Sequence, residues 1–452
     1  MFFERIISKG LAHFSYMIGD GTDAVVIDPR RDCEIYREKA FKNGFVIRYI
    51  LETHRNEDYL IGSVGLASKT GAEIWHADRQ WDYTYGNPAE DGQTWKVGQI
   101  KIKALHTPGH TPGHMSYLLF DPDGFPWFIF TGDALFAGDV GRVDLLGMEK
   151  VEQSAGLLFA SIFEKILPLG DGVIVCPAHG EGSVCGSAIS GRIWTTIGIE
   201  RRANPKLQFR DKNQFISHIG RELERPLYFS RMERFNLQGN PAPWYLSHPP
   251  PLDIREFEAR AKDAVVVDTR LELGFSAAHV PGSLSIWLGG LAGFAGWFLP
   301  YDTPLLLVNE AENPEEAARI LIRLGYDRIE GYLAGGMLSW HMAGLESRSV
   351  LTVTVQELCR LLDARENPSI LDVRSKEELE RNGRIRDARH IHITALPQCL
   401  SNVPKESTVY IFCGSGLRSM IAASLLQREG WTKIKVVLGG LAGWNSVRCP
   451  LR

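Results

Sequence analysis

The chain has no C-x-x-C pair, no run of lysines and arginines, and no cysteine between Cys185 and Cys359. Its seven cysteines (Cys33, Cys176, Cys185, Cys359, Cys399, Cys413 and Cys449) are odd in number and scattered. That pattern excludes a disulfide framework and a structural zinc knuckle, and leads us to expect free thiols in a reducing cytoplasm. A net charge of −4 without a basic patch gives no drive toward nucleic acid or an anionic membrane. Met1-Phe2-Phe3-Glu4-Arg5 has neither a long apolar core nor a small-residue cleavage site, so no signal peptide is expected. Only Val280 to Tyr301 is free of charge over a length that could span a bilayer. Its five glycines, and a proline near each end, make it a buried, loop-rich piece of a soluble domain instead.

What is present is ordinary globular composition, 44% hydrophobic and 23% charged, over 452 residues. That length exceeds one core, so about two to four domains are expected. In the first part, short apolar runs end in polar loops. Ala24-Val25-Val26-Ile27 reads as a strand ending at Asp28-Pro29, and Val46 to Leu51 as a strand delivering His54. Phe128-Ile129-Phe130 does the same for Asp133, and Gly172 to Val175 for His179. Loops at strand ends are where a rigid sheet holds functional side chains. Ile189 to about Arg225 reads as helix and connector, and Gly239 to Pro251, with five prolines, as a linker.

The remainder is a repeat. Asp268 and Asp372, Gly335 and Gly439, and Trp340 and Trp444 each stand 104 positions apart. Two copies of alternating strands and helices imply two small α/β domains. In the second copy the strand Val409 to Phe412 runs into Cys413-Gly414-Ser415-Gly416-Leu417-Arg418, and a helix follows. Backbone N–H groups wrapped around a sulfur at a helix N-terminus favour the thiolate, and Arg418 is placed to meet an anion. This loop, Leu371-Asp372-Val373-Arg374 and Gly439-Gly440-x-x-x-Trp444 together resemble a rhodanese, a sulfurtransferase domain. The resemblance implies that Cys413 carries the persulfide and that Gly414, Ser415, Gly416 and Leu417 bind the transferred group. Arg386-Asp387-Ala388 departs from the family's usual Pro-Gly-Ala turn. The first copy keeps that turn at His279-Val280-Pro281-Gly282 but has Asn309 or Val308, depending on alignment, where the cysteine belongs. It cannot carry sulfur and is read as a spacer or docking domain.

Near the start stands Thr53-His54-Arg55-Asn56-Glu57-Asp58-Tyr59, followed by Pro108-Gly109-His110-Thr111, Thr131-Gly132-Asp133 and Pro177-Ala178-His179-Gly180. In this order the segments resemble the metallo-β-lactamase fold, whose hydrolases load two zinc ions through an intact H-x-H-x-D-H. Asn56 and Tyr59 replace its second and third histidines. The closest resemblance within the fold is to persulfide dioxygenases. It implies His54, His110 and Asp133 as ligands of one Fe(II) per chain, with zinc possible in a purified sample. Two imidazoles and one carboxylate with open positions are the set for oxygen-activating non-haem iron. Asn56, Asp58, Tyr59, His179 and Cys185 would then stand around the ligands, and Arg142 is a candidate contact for an anionic substrate, with a fold-stabilising salt bridge as the alternative. His114 is read as a packing residue rather than a replacement ligand.

The expected architecture is α/β: an αββα metallo-β-lactamase sandwich with its connector (1–245), a cysteine-less rhodanese-like domain (250–348) and a rhodanese domain (351–452). End to end, this resembles persulfide dioxygenase–rhodanese fusions of sulfide detoxification. The partners implied are a small persulfide on glutathione, coenzyme A or a similar thiol, dioxygen, and sulfite or thiosulfate. Neither nucleic acid nor membrane is expected, and a homo-oligomer is. The alternatives are a glyoxalase II-like zinc thioesterase with an accessory sulfurtransferase, and a sulfurtransferase with a degenerate metal domain.

Overall fold

The computed structural model describes residues 1–186, 188–220, 222, 225–239, 241, 248–310 and 314–447. Most of the expected linker, and Cys449, therefore lie outside the described residues. Two compact units are resolved, Met1–Trp244 with Ile322–Gly325, and Tyr245–Leu321 with Tyr326–Arg452.

In the first unit, β1 (Phe2–Ser8), β2 (His13–Asp20), β3 (Asp23–Ile27), β4 (Val46–Leu51), β5 (Glu73–His76) and β6 (Asn87–Pro88) form one sheet in that order. A second sheet runs β12 (Thr195–Thr196), β11 (Ile174–Pro177), β10 (Pro126–Gly132), β9 (Met115–Phe120), β8 (Ile100–His106), β7 (Thr94–Val97). Alternation along the strands gives each sheet two apolar faces. Ile18, Val25 and Ile27 of one sheet meet Ile102, Tyr117, Leu119 and Phe130 of the other in a common core. The outward faces are covered by helices Glu34–Asn43 and Ser63–Thr70 on one side and Val151–Ala160 on the other. The result is the expected αββα sandwich. β4, β10 and β11 all discharge their loops at one edge, which positions the site.

The second unit holds two parallel five-stranded sheets of the same topology. One runs β13 (Pro251–Leu252), β17 (Ile329–Leu333), β16 (Leu305–Val308), β14 (Val265–Asp268), β15 (Leu284–Ser285). The other runs β18 (Leu351–Thr354), β22 (Ile434–Leu438), β21 (Val409–Phe412), β19 (Ser369–Asp372), β20 (Arg389–His390). The repeat extends to buried ion pairs: Arg270 grips Asp268 and Arg374 grips Asp372, each with an N–H···O distance of 2.6 Å. Strand β16 ends at Val308 where β21 ends at Phe412, so Asn309 takes the place of Cys413 and Val308 does not. At the atypical turn, Asp387 adopts φ 59, as Gly282 does (φ 78) in the first copy. Aspartate tolerates that region better than most residues, so the turn survives its unusual sequence.

Val280 to Tyr301 is broken into β15, a 3₁₀ turn and helix Leu291–Phe298. Among the described residues no helix is long and apolar enough to cross a membrane. Trp287, Phe294 and Phe298 pack instead against the core of the second copy. The Ser285 N–H donates to Ser424 Oγ (3.1 Å) on helix Leu417–Arg428, which follows the Cys413 loop. The cysteine-less copy thus braces that helix. One expectation is corrected: Cys359 is disulfide-bonded, so the thiols are not all free. Cys33, Cys176, Cys185, Cys399 and Cys413 are free.

Candidate metal centre and sulfur loop

His54 lies just beyond β4 in a segment fixed by a side-chain relay. Asp28 accepts from both the Thr53 N–H and the Thr53 hydroxyl, each at 2.8 Å. With its proton given to Asp28, Thr53 Oγ1 accepts from His54 Nδ1 at 2.9 Å. The imidazole therefore presents the lone pair of Nε2 inward. His110, between β8 and β9, is oriented by the same logic. Its Nδ1 lies 3.0 Å from the Arg142 carbonyl, which can only accept, so Nε2 points into the site. Such partners fix the tautomer of metal-binding histidines.

Asp133 follows β10 after Gly132, which has φ 49 and sits so close to Thr53 Oγ1 and His114 Nε2 that an added Cβ would lie 2.6 and 2.4 Å from them. Asp133 Oδ2 is 3.7 Å from His54 Nε2 and 3.4 Å from His110 Nε2. Ligands at about 2.1 Å from one ion stand about 3 Å or more apart at right angles, so these spacings fit a shared cation. All three side chains are fully buried, and His54 Nε2, His110 Nε2 and Asp133 Oδ2 have no hydrogen-bond partner. Three buried, orphaned donors facing one another are the observation a divalent ion would satisfy.

The charges agree. Burial holds His54 well below the ordinary imidazole range, hence neutral. Burial pushes the Asp133 carboxyl up, but His179, His54 and His110 hold it well below the usual carboxylate range. His110 is lowered by burial, yet the Glu57 carboxylate outweighs this and raises it to about 9.

The other expected residues fall around this trio. His179 donates through Nδ1 to Asp133 Oδ1 (2.7 Å) and brings Nε2 to 3.0 Å from Asp58 Oδ2. Asp58, His179 and Cys185 group their donor atoms within 4.8 Å, as do His110, Asp133 and Cys185. Burial, followed by the charges of Asp58 and Asp133, pushes the Cys185 thiol well up. A bound cation would reverse that effect. Asn56 Nδ2 turns back to the His54 carbonyl (3.3 Å), while Tyr59 packs on the His13 ring at 3.9 Å. Neither offers an imidazole to a second ion. His114 uses both nitrogens: Nε2 accepts from the Asp133 N–H (3.0 Å) and Nδ1 meets Thr107 Oγ1 (2.9 Å), so it supports rather than ligates. Arg142 is paired side-on with Asp144 at 2.7 and 2.8 Å. Its carbonyl touches the site through His110, whereas its guanidinium is committed to Asp144.

Sequence reasoning passed over Glu57 and His13. Glu57 Oε1 sits 2.9 Å from His110 Nε2, and neither of its oxygens is hydrogen-bonded. An acidic residue inside a histidine-rich motif was the available signal. His13 arrives from a distant strand and left no signal.

In the second rhodanese-like copy, Cys413 is fully buried at the end of β21, and its Sγ accepts from the Gly416 N–H at 3.1 Å. Gly440, at φ 46, lets the closing turn approach so closely that a Cβ there would stand 2.2 Å from the Cys413 carbonyl. Leu441 and Ala442 N–H groups bond the loop's carbonyls at 2.9 and 3.2 Å. Arg418 lies against the loop, an added Cβ at Gly414 falling 3.1 Å from its Nη2. It forms a bidentate pair with Glu378, both contacts 2.6 Å.

Known proteins resemble both parts of the chain. A metallo-beta-lactamase superfamily model matches residues 9–179, and a rhodanese-like domain model matches 253–343 and 354–447. The human protein named mitochondrial persulfide dioxygenase ETHE1 is 30% identical over 214 residues, covering 46% of this chain and 76% of that protein. The hydroxyacylglutathione hydrolase GloC of Haemophilus influenzae is 27% identical over 209 residues, covering 42% and 89% respectively. A structure of a metallo-beta-lactamase from Staphylococcus aureus subsp. aureus COL is 31% identical with a TM-score of 0.65, and covers 74% of this chain and 99% of that one. The chain belongs to the metallo-beta-lactamase superfamily. It is a member in which two rhodanese-like domains follow the metallo-beta-lactamase fold, with persulfide dioxygenases among its relatives.

Proposed function

We propose that the protein oxidises small persulfides to sulfite at a mononuclear Fe(II) held by His54, His110 and Asp133, and transfers sulfane sulfur through Cys413. The three orphaned donors converging where positions 56 and 59 lack imidazoles carry the reading. Iron held by these residues would supply dioxygen activation. Overall, a persulfide RSSH, dioxygen and water yield the thiol RSH, sulfite and two protons. The chain's own contribution is a dry site: Thr53 and the Arg142 carbonyl fix the imidazoles, and His179 steadies Asp133 and can hold a proton at Nδ1. Arg142, paired with Asp144, contributes its carbonyl behind His110, and Asn56, Asp58, Tyr59, His179 and Cys185 surround the ligands.

At the second site, Cys413 thiolate takes the outer sulfur of a persulfide and releases the thiolate RS⁻. Sulfite then attacks that sulfur, the S–S bond to Cys413 breaks, and thiosulfate leaves. Gly414, Ser415, Gly416 and Leu417 cradle the sulfur, and Arg418 sets the loop's charge through Glu378. Fusion keeps the sulfite from one site near the other. The three-domain division at 1–245, 250–348 and 351–452 belongs to this proposal.

The hydrolase reading draws on the Asp58–His179–Cys185 group and the GloC relative. Metal analysis separates the two: about one iron per chain supports the dioxygenase, about two zinc ions the thioesterase. Oxygen uptake by iron-loaded protein given glutathione persulfide is the direct test, and none would remove the dioxygenase. Cys413→Ser is expected to leave that uptake intact and abolish thiosulfate formation. Loss of both activities together would refute the division of labour.

A further inference from the structure

Glu57 is the one carboxylate of the site that neither an intact histidine motif nor the ligand trio accounts for. It is fully buried, and both of its oxygens lack a hydrogen-bond partner. Leaving a carboxylate in that state costs far more than a fold retains for no return, unless a positive charge stands beside it. The neighbouring groups identify where. Glu57 Oε1 lies 2.9 Å from His110 Nε2, and both atoms are buried without any other partner. His110 already commits its Nδ1 proton to the Arg142 carbonyl, and in its neutral form Nε2 offers a lone pair. Asp133 Oδ2 approaches the same nitrogen at 3.4 Å. His54, Glu57 and His110 bring their donor atoms within 4.8 Å of one another. Glu57 thus stands with the two imidazoles, each of which also faces Asp133 Oδ2.

We propose that Glu57 is a fourth protein ligand of the cation held by His54, His110 and Asp133. This inference rests on the metal-centre reading above. The donor set becomes two imidazoles and two carboxylates, whose charge balances a divalent ion. An octahedral ion would keep about two open positions rather than about three. Substrate sulfur and dioxygen would then have one position each, and a chelating thiol would leave none for dioxygen. Hard oxygen donors also favour Fe(II) and Mn(II) at the expense of soft-metal binding.

The test uses the full-length protein with Mn(II) and, anaerobically, Fe(II). Chelator competition should show Glu57→Gln weakening both metals about 10- to 100-fold, while His54→Ala abolishes binding. Broadening of the Mn(II) resonance by ¹⁷O-labelled water should count about two exchangeable waters in wild-type protein and about three in Glu57→Ala. The wild-type count stands even if a variant fails to fold. Three waters in the wild type, or Glu57→Gln binding within threefold of wild type while His54→Ala loses the metal, would overturn the Glu57 assignment and leave the mononuclear centre standing. Ligand behaviour at Glu57 without oxygen uptake would instead sink the dioxygenase and keep the ligand. Wild-type protein that takes up neither metal would end both.

Discussion

Thr53→Val tests whether the relay behind His54 makes the metal site. Valine has the shape of threonine, so packing is conserved and only the hydroxyl is lost. That hydroxyl serves two fully buried partners, Asp28 Oδ2 at 2.8 Å and His54 Nδ1 at 2.9 Å. Each partner left unpaired costs about 1–3 kcal/mol. Asp28 keeps the backbone N–H of residue 53, so the sum should fall near the lower end, about 2–4 kcal/mol. Burial raises the Asp28 carboxyl to about 7, against the pull of the Thr53 bonds, so the comparison belongs at pH 8, where it is ionised. Freed from Thr53, the His54 ring loses its fixed tautomer. Loss of such a partner typically weakens metal binding 10- to 100-fold, about 1.4–2.8 kcal/mol. Anaerobic Fe(II) titration against a chromophoric chelator reads the second quantity, and urea unfolding of metal-free protein the first. A Thr53→Val protein within twofold of wild type in iron affinity and unchanged in stability would show that Thr53 does not orient His54, and that the lone-pair argument fails.

Three further outcomes can be checked. Asn56→His with Tyr59→His restores the imidazoles of the dinuclear motif. Metal analysis should move from about one to about two ions per chain, and no change would mean that these replacements do not set the stoichiometry. Gly440→Ala places a Cβ 2.2 Å from the Cys413 carbonyl at φ 46. Sulfur transfer should fall at least tenfold while metal content is unchanged, and full transferase activity would show the closing turn to be slack. Burial pushes Glu378 up, but its pair with Arg418 and the Ser375 N–H bring it down to about 2. Because the folded value lies below the unfolded one (about 4.3), the pair's stabilisation is complete above that pH and lost as pH falls toward 2. Glu378 is 29% exposed, so screening reduces the contribution to about 1–2 kcal/mol. Glu378→Gln should flatten the loss of urea stability between pH 5 and pH 3, and an identical slope would refute the assignment.

The sequence by itself determined the order and kind of the domains. Periodicity and the 104-residue repeat are local in origin: alternating apolar strands, a double glycine that must adopt positive φ, an Asp-x-Arg pair two residues apart. The candidate ligands were legible too, because each sits in a short segment whose spacing the sheet edge imposes. The count by 104 left Asn309 and Val308 open until the ends of β16 and β21 were known. Only tertiary structure decided what those side chains face. It gave Arg142 to Asp144 and Arg418 to Glu378, since a guanidinium's partner depends on what folds beside it. It also gave both nitrogens of His114 to hydrogen bonds, and it brought Glu57 beside His110 and Cys185 beside Asp133. Residue type and spacing are properties of the chain, but the direction of a lone pair is set by neighbours far away in sequence, and a metal site is defined by those directions.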